Sequence, residues 1–218
     1  MRRALLAAAL AGVLAPAAWA AAGEPRHAFT KADQARARAA SLKLSDFAPG
    51  WTASKSGGTS SGSHPRCSNY NPDQSDLIET GKYDSPDFDR TANHSFVSVS
   101  TGVFKTAAMA KRGYARVAVR RLPTCFGELF VRGITKPSSA QVVSARPIAF
   151  PRVGDRSNAY RLIASVRTPS GTVPVTADIV LFNSGRTDVA MIFLGIARPL
   201  PASLERAAVA RVLSRVTR

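Results

Sequence analysis

The stretch YRLIASVRTPSGTVPVTADIVLFNSGRTDVAMIFLGI, residues 160–196, carries three strand signals separated by two turn signals. In Tyr160–Thr168, the residues Tyr160, Leu162, Ala164 and Val166 alternate with Arg161, Ser165 and Arg167, the two-residue period of a strand with one covered face. Pro169-Ser170-Gly171 turns the chain into Val173–Phe182, and Asn183-Ser184-Gly185 turns it again into Thr187–Ile196. The last strand is apolar on both sides, with Val189, Met191 and Phe193 set against Ala190, Ile192 and Leu194. Such a strand is expected at the centre of a sheet covered on both faces. Upstream, Gln141–Phe150 adds a fourth strand, and short turns make all four an antiparallel meander.

Working outward, Val97, Val99, Thr101 and Val103 alternate with Ser98, Ser100 and Gly102, which predicts a further half-buried strand entered at His94. A helix is expected from Thr106 to Leu122, with Ala107, Tyr114, Ala118 and Leu122 on one face and Lys105, Arg112, Arg116 and Arg120 on the other. Pro123 interrupts it, and a short helix from Thr124 to Arg132 follows. Thr30 and Asp33 open a helix over Lys31–Leu42 as N-cap and first-turn acid. After Pro199 and Pro201 end the sheet, Ser203 is expected to cap a last helix that turns Leu204, Ala208, Val212 and Val216 inward. The sum is an α+β class, a twisted antiparallel sheet with flanking helices in one domain.

Two segments read as irregular. Residues 52–93 are rich in Ser, Gly, Pro, Asp and Asn, so a long, loosely ordered loop is expected there beyond a short strand at Trp51, pinned in its middle by Cys67. Residues 21–28 read as a frayed start. Residues 1–20 have the form of a secretory leader: Arg2 and Arg3, an apolar run Ala4–Ala15, and the small-x-small site Ala18-Trp19-Ala20. The run is shorter than the roughly 20 residues needed to cross a bilayer. Export, a secreted or cell-envelope location and no transmembrane segment after cleavage are the expectations.

The chain has 218 residues and a net charge of +16, which falls to +14 when Arg2 and Arg3 leave with a leader that holds no acid. Export removes nucleic acid as the partner of this charge and leaves anionic envelope lipid, an anionic polymer or an envelope protein. The stripe Lys105, Arg112, Arg116 and Arg120 is the candidate surface for such a partner, and a solvated outer helix face is its alternative. Cys67 and Cys125 are the only cysteines. In an oxidising compartment a disulfide closing a loop of about 59 residues is the simplest reading, worth about 4 kcal/mol. Two free thiols or a metal pair beside His64 are the alternatives.

Catalytic chemistry finds little support. His27 and His64 fall in segments read as irregular, and His94 at a strand entrance is the one histidine expected to be fixed. Gly-x-Ser-x-Gly, Ser-x-x-Lys and His-Glu-x-x-His do not occur. The acids Asp73, Asp76, Glu79, Asp84, Asp87 and Asp89 match no calcium loop and read as a solvated acidic loop docking on the basic body. Asp155 reads as a turn residue after Gly154. Neither a metal nor a cofactor is expected, and the chain is read as no enzyme.

The order of elements, with LKLSDFAPGWTAS at 42–54, TGKYDSPDF at 80–88, HSFVSVSTGVFKTAAMAKRGYA at 94–115 leading to Cys125, and PRVGDRSNAYRL at 151–162, resembles one family. It is similar to secreted actinobacterial domains related to the extracellular sensor of PknH-type serine/threonine kinases and to LpqN-like envelope lipoproteins. That resemblance covers roughly residues 29–216. It implies a Mog1/PsbP-like sheet with a cleft against its helices, and a sensor-like role binding a small amphipathic envelope molecule or a partner protein. Trp51 is the candidate cleft residue, with burial beside the sheet as its alternative. The chain lacks the several disulfides and transmembrane helix of the kinase sensors and the lipobox of the lipoproteins, which favours a free exported binder over a transmembrane signaller. A basic protein held electrostatically to anionic envelope lipid or polysaccharide is the other reading.

Overall fold

Ser184 pairs with Thr187 across the two residues Gly185-Arg186, and Thr168 pairs with Gly171 across Pro169-Ser170, so the two turns seen in the sequence are tight hairpins. They join β7 (Arg156–Thr168), β8 (Gly171–Ser184) and β9 (Thr187–Ile196), and β6 (Ala140–Pro147) lies on the outer edge against β7. The computed structural model describes residues 23–54, 67–133 and 139–217. The expected leader and His64 lie outside the described residues.

The remaining strands are β1 (Arg26–His27), β2 (Thr52–Ala53), β3 (Ile78–Asp84), β4 (Phe88–Arg90) and β5 (Ser95–Phe104). They form one nine-stranded sheet in the order β1-β3-β5-β9-β8-β7-β6, with β4 also on β5 and β2 on β4. Pairing is antiparallel except between β1 and β3. As its two apolar faces demand, β9 sits between β5 and β8 and is buried along nearly its whole length.

Helices cover both faces. On one face Tyr160, Leu162, Ile179 and Ile192 pack under α2 (Ala107–Val117) and α3 (Leu122–Gly133) through Tyr114, Val117, Phe126 and Phe130. On the other, Val99, Val180, Phe182, Met191 and Phe193 pack under α4 (Ala202–Val216) through Ala208, Val209 and Val212. The helix α1 (Lys31–Ala40) lies across β3 and β5 and against α4. Thr30 caps α1 by accepting the Asp33 N–H at 3.1 Å, as the sequence suggested.

Three expectations change. The stretch 52–93 is not one long loop, because 52–53, 78–84 and 88–90 are strands and the Glu79 and Asp84 side chains are buried. Residues 26–27 are not frayed: the Arg26 N–H donates to Leu77 O and the Ala28 N–H to Glu79 O, both at 2.9 Å. The last helix starts at Ala202 after Pro201, so Ser203 is not its cap, and Glu205 joins the inward face.

Between the two long helices, α2 stops at Val117, before Pro123 can obstruct it, and α3 takes Pro123 into its first turn. A proline there loses no helical hydrogen bond, since the first N–H groups have no intrahelical partner. Cys125 on α3 bonds to Cys67 with the Cα atoms 5.4 Å apart. This disulfide fixes the segment 67–77 over α2 and α3, and Tyr70 Oη donates to Val117 O at 2.5 Å beside it.

Candidate functional site

The segment PRVGDRSNAY at 151–160 enters β7 through a turn that the neighbouring hairpin holds. Gly154 has φ +61°, and a Cβ there would lie 2.4 Å from Asn183 O. Only glycine permits so close a backbone approach. The Asp155 N–H donates to Asn183 O at 2.8 Å, and Asp155 Oδ2 accepts the Gly185 N–H at 2.8 Å. Asp155 is thus the turn residue expected from the sequence. The Val153 N–H donates to Ser157 Oγ at 3.0 Å, closing the turn on itself.

This turn stands opposite α2, and the space between them is a cleft of about 480 Å³. Tyr114, Ala115 and Ala118 of α2 form one wall; Phe150, Arg152, Arg156 and Asn158 form the other. Tyr114 is buried and its Oη donates to Asn158 Oδ1 at 2.8 Å and to Leu181 O at 3.3 Å. Burial pushes the Tyr114 phenol well above its ordinary range, so it remains a neutral donor. Arg152 Nη2 donates to the Asp155 backbone O at 3.3 Å. Among the described residues no carboxylate forms an ion pair with Arg152 or Arg156.

The basic stripe is divided. Arg116 donates to Asp76 Oδ1 and Oδ2 at 2.5 and 3.2 Å and to Asp73 O at 2.8 Å, and Arg112 Nε stands 3.8 Å from Asp76. Arg116 holds the Asp76 carboxyl below its ordinary range. Lys105 and Arg120 are exposed. The docking of acids on the basic body therefore happens at Asp76, while Glu79 and Asp84 are used inside the sheet: His27 Nε2 lies 3.3 Å from Glu79, and Ser100 Oγ donates to Asp84 at 2.6 Å. Hydrogen bonding to Glu79 raises the His27 pKa above 6.5.

Trp51 is 7% exposed, stacked on Phe47 at 4.7 Å, belongs to the core beneath α4, and does not line the cleft. His94 sits in a left-handed turn at φ 51°, with Nδ1 buried and unpartnered. No group of three or more His, Cys, Asp or Glu among the described residues is placed to hold a metal ion. No helix among them is long and apolar enough to cross a membrane.

Sequence reasoning missed Arg152, Arg156 and Asn158. They lie in a turn and at a strand entrance, where no periodicity marks which side chains converge with a helix forty residues earlier. It also missed two buried acids. Asp188 on β9 is fully buried; its Oδ1 accepts from Asn183 Nδ2 at 2.6 Å and its Oδ2 has no partner. Glu205 on α4 hydrogen-bonds Asp178, which also accepts Arg161 Nε and Nη2 at 2.6 and 2.5 Å.

The arrangement is an α+β domain with a cleft between helix and sheet. No family model matches the chain, and no curated protein matches it. Among solved structures it is similar to the extracellular domain of PknH from Mycobacterium tuberculosis, with a TM-score of 0.35 and 11% identity over 64% of this chain and 65% of that one. The match thus spans less than two thirds of that domain's length.

Proposed function

We propose that this protein is an exported, non-enzymatic, sensor-like domain of the kind that the PknH-type resemblance implies, and that it binds a small amphipathic envelope molecule between α2 and the entrance to β7. The observation that carries this reading is the cleft itself. Its volume of about 480 Å³ falls in the range of sites for small organic ligands. Its apolar wall of Ala115, Ala118 and Phe150 stands beside the polar side chains of Arg152, Arg156 and Asn158, of which Asn158 is tied to the Tyr114 hydroxyl. Export is supported by the leader-like start and by the disulfide, which persists in oxidising compartments.

The alternative, a protein held to anionic envelope material by its helix stripe, draws less support, because Arg112 and Arg116 already face Asp76. Native mass spectrometry of the protein purified mildly from its own envelope fraction tests the leading reading. A discrete lipid-sized adduct is expected for the wild type and its loss for Ala115→Trp, which fills the cleft. An adduct of equal intensity in both proteins would place the ligand elsewhere and overturn the reading.

A further inference from the structure

We propose that Arg152, Arg156 and Asn158 form an anion subsite, so that the molecule taken by the cleft carries an oxyanion head group, a phosphate ester or a carboxylate. This rests on the reading of the cleft as a ligand site and adds the chemistry of the ligand to it.

Asn158 spends its carbonyl oxygen inside the protein, where Oδ1 accepts the Tyr114 hydroxyl at 2.8 Å. Its Nδ2 amide remains to donate into the cleft. Tyr114 cannot supply a competing charge, since burial keeps its phenol protonated. Asp155, the one carboxylate of the lining, has Oδ2 tied to the Gly185 N–H, and Arg152 reaches its backbone oxygen instead of its carboxylate. What the wall offers to a ligand is two guanidiniums and an amide donor against the single carboxylate of Asp155, a lining of net positive charge.

Asp46 pairs with Arg211 and Arg215, Asp33 with Arg186, Glu128 with Arg132, and Asp76 with Arg112 and Arg116. Among the described residues, other arginines, Arg120 and Arg121 among them, also form no ion pair with a carboxylate; what distinguishes Arg152 and Arg156 is that both line the same cleft. At the cleft none of the described carboxylates pairs with Arg152 or Arg156; Arg152 reaches the Asp155 backbone oxygen at 3.3 Å, and Arg156 opens β7 beside it. Guanidinium forks match carboxylate and phosphate oxygens in geometry as well as charge. The apolar strip of Ala115, Ala118 and Phe150 then fits a short hydrocarbon tail leaving the head group.

Isothermal titration of the oxidised protein at low ionic strength, with octyl phosphate, octanol and inorganic phosphate as probes, tests this. Octyl phosphate is expected to bind, and to bind at least about tenfold more tightly than octanol, since hydrogen bonds to charged groups are the stronger class. Arg152→Gln with Arg156→Gln should weaken octyl phosphate at least about tenfold with an unchanged melting temperature. Asn158→Asp keeps the acceptor for Tyr114, replaces the outward donor with a charge of the wrong sign, and should weaken it likewise. Equal binding of octyl phosphate and octanol, unaffected by these variants, would overturn the anion subsite and leave the amphiphile cleft standing. Inorganic phosphate binding as tightly as octyl phosphate, and lost in the double variant, would support the subsite and overturn the amphiphile reading. No binding by any probe would overturn both.

Discussion

Replacing Glu205 with glutamine is predicted to flatten the pH dependence of folding stability. Glu205 is 3% exposed and Asp178 1% exposed, and both face the single guanidinium of Arg161 between α4 and the sheet. Two buried carboxylates against one positive charge retain a proton. Burial first, and then the charge and hydrogen bond of Asp178, push Glu205 from its ordinary 4.5 up to about 8, against the opposing charges of Arg161 and Arg206. The folded protein therefore keeps a proton that the unfolded chain releases above pH 4.5. This contribution to stability is complete below pH 4.5 and is lost as pH rises toward about 8. A shift of that size corresponds to an effect on the order of 3–5 kcal/mol. The amide of a Glu205→Gln variant would donate to Asp178 at every pH, so the loss should vanish. Urea unfolding at several pH values from 5 to 9, followed by the fluorescence of Trp51 in the core beneath α4, measures it. Asp87, raised to about 6 by burial, and buried Asp188 titrate in the same direction, so the quantity to read is wild type minus variant. A difference that stays constant from pH 5 to 8.5 would refute the reasoning.

Three further outcomes follow from the same kind of argument. Replacing Cys67 and Cys125 together with Ala should lower the urea unfolding free energy by about 4 kcal/mol, because the bridge spans a sequence separation of 58; an unchanged midpoint would count against the chain-entropy account here. Gly154→Ala should cost at least about 2 kcal/mol and lower the melting temperature, since it combines φ +61° with a Cβ placed 2.4 Å from Asn183 O. Asp188→Asn should melt no lower than wild type at pH 7, with an advantage that grows as pH rises, because burial holds the native carboxyl protonated while the unfolded one ionises. A variant that melts well below wild type would show that an ionised Asp188 serves the fold.

The meander was legible because strands β7 and β9 obey the physics that the sequence displays. One alternates because it has one apolar face, and the other is apolar throughout because both its faces are covered. The strand β3 escaped the same reading for a reason visible in its residues. Ile78-Glu79-Thr80-Gly81-Lys82-Tyr83-Asp84 looks like loop, yet it is almost wholly buried. Its polar groups are satisfied by tertiary partners: Thr80 Oγ1 donates to Val103 O at 3.2 Å, the Lys82 N–H donates to Gln34 Oε1 at 2.8 Å, and Glu79 and Asp84 take His27 and Ser100. Gly81 is there because the α1 backbone crosses directly above it; a Cβ would lie 2.3 Å from Asp33 O. A strand whose burial depends on hydrogen bonds and on one missing side chain carries no hydrophobic period to detect. The cleft was hidden by the same logic. Its basic groups are set by a turn clasped to the β8–β9 hairpin, so their convergence on α2 is a property of long-range contacts and not of spacing. The helix stripe, which spacing did reveal, has its two middle arginines facing Asp76. In this chain periodicity therefore locates what is buried by apolar contact, whereas the convergence of Arg152, Arg156 and Asn158 on α2 appears only once the turn before β7 is placed against the β8–β9 hairpin.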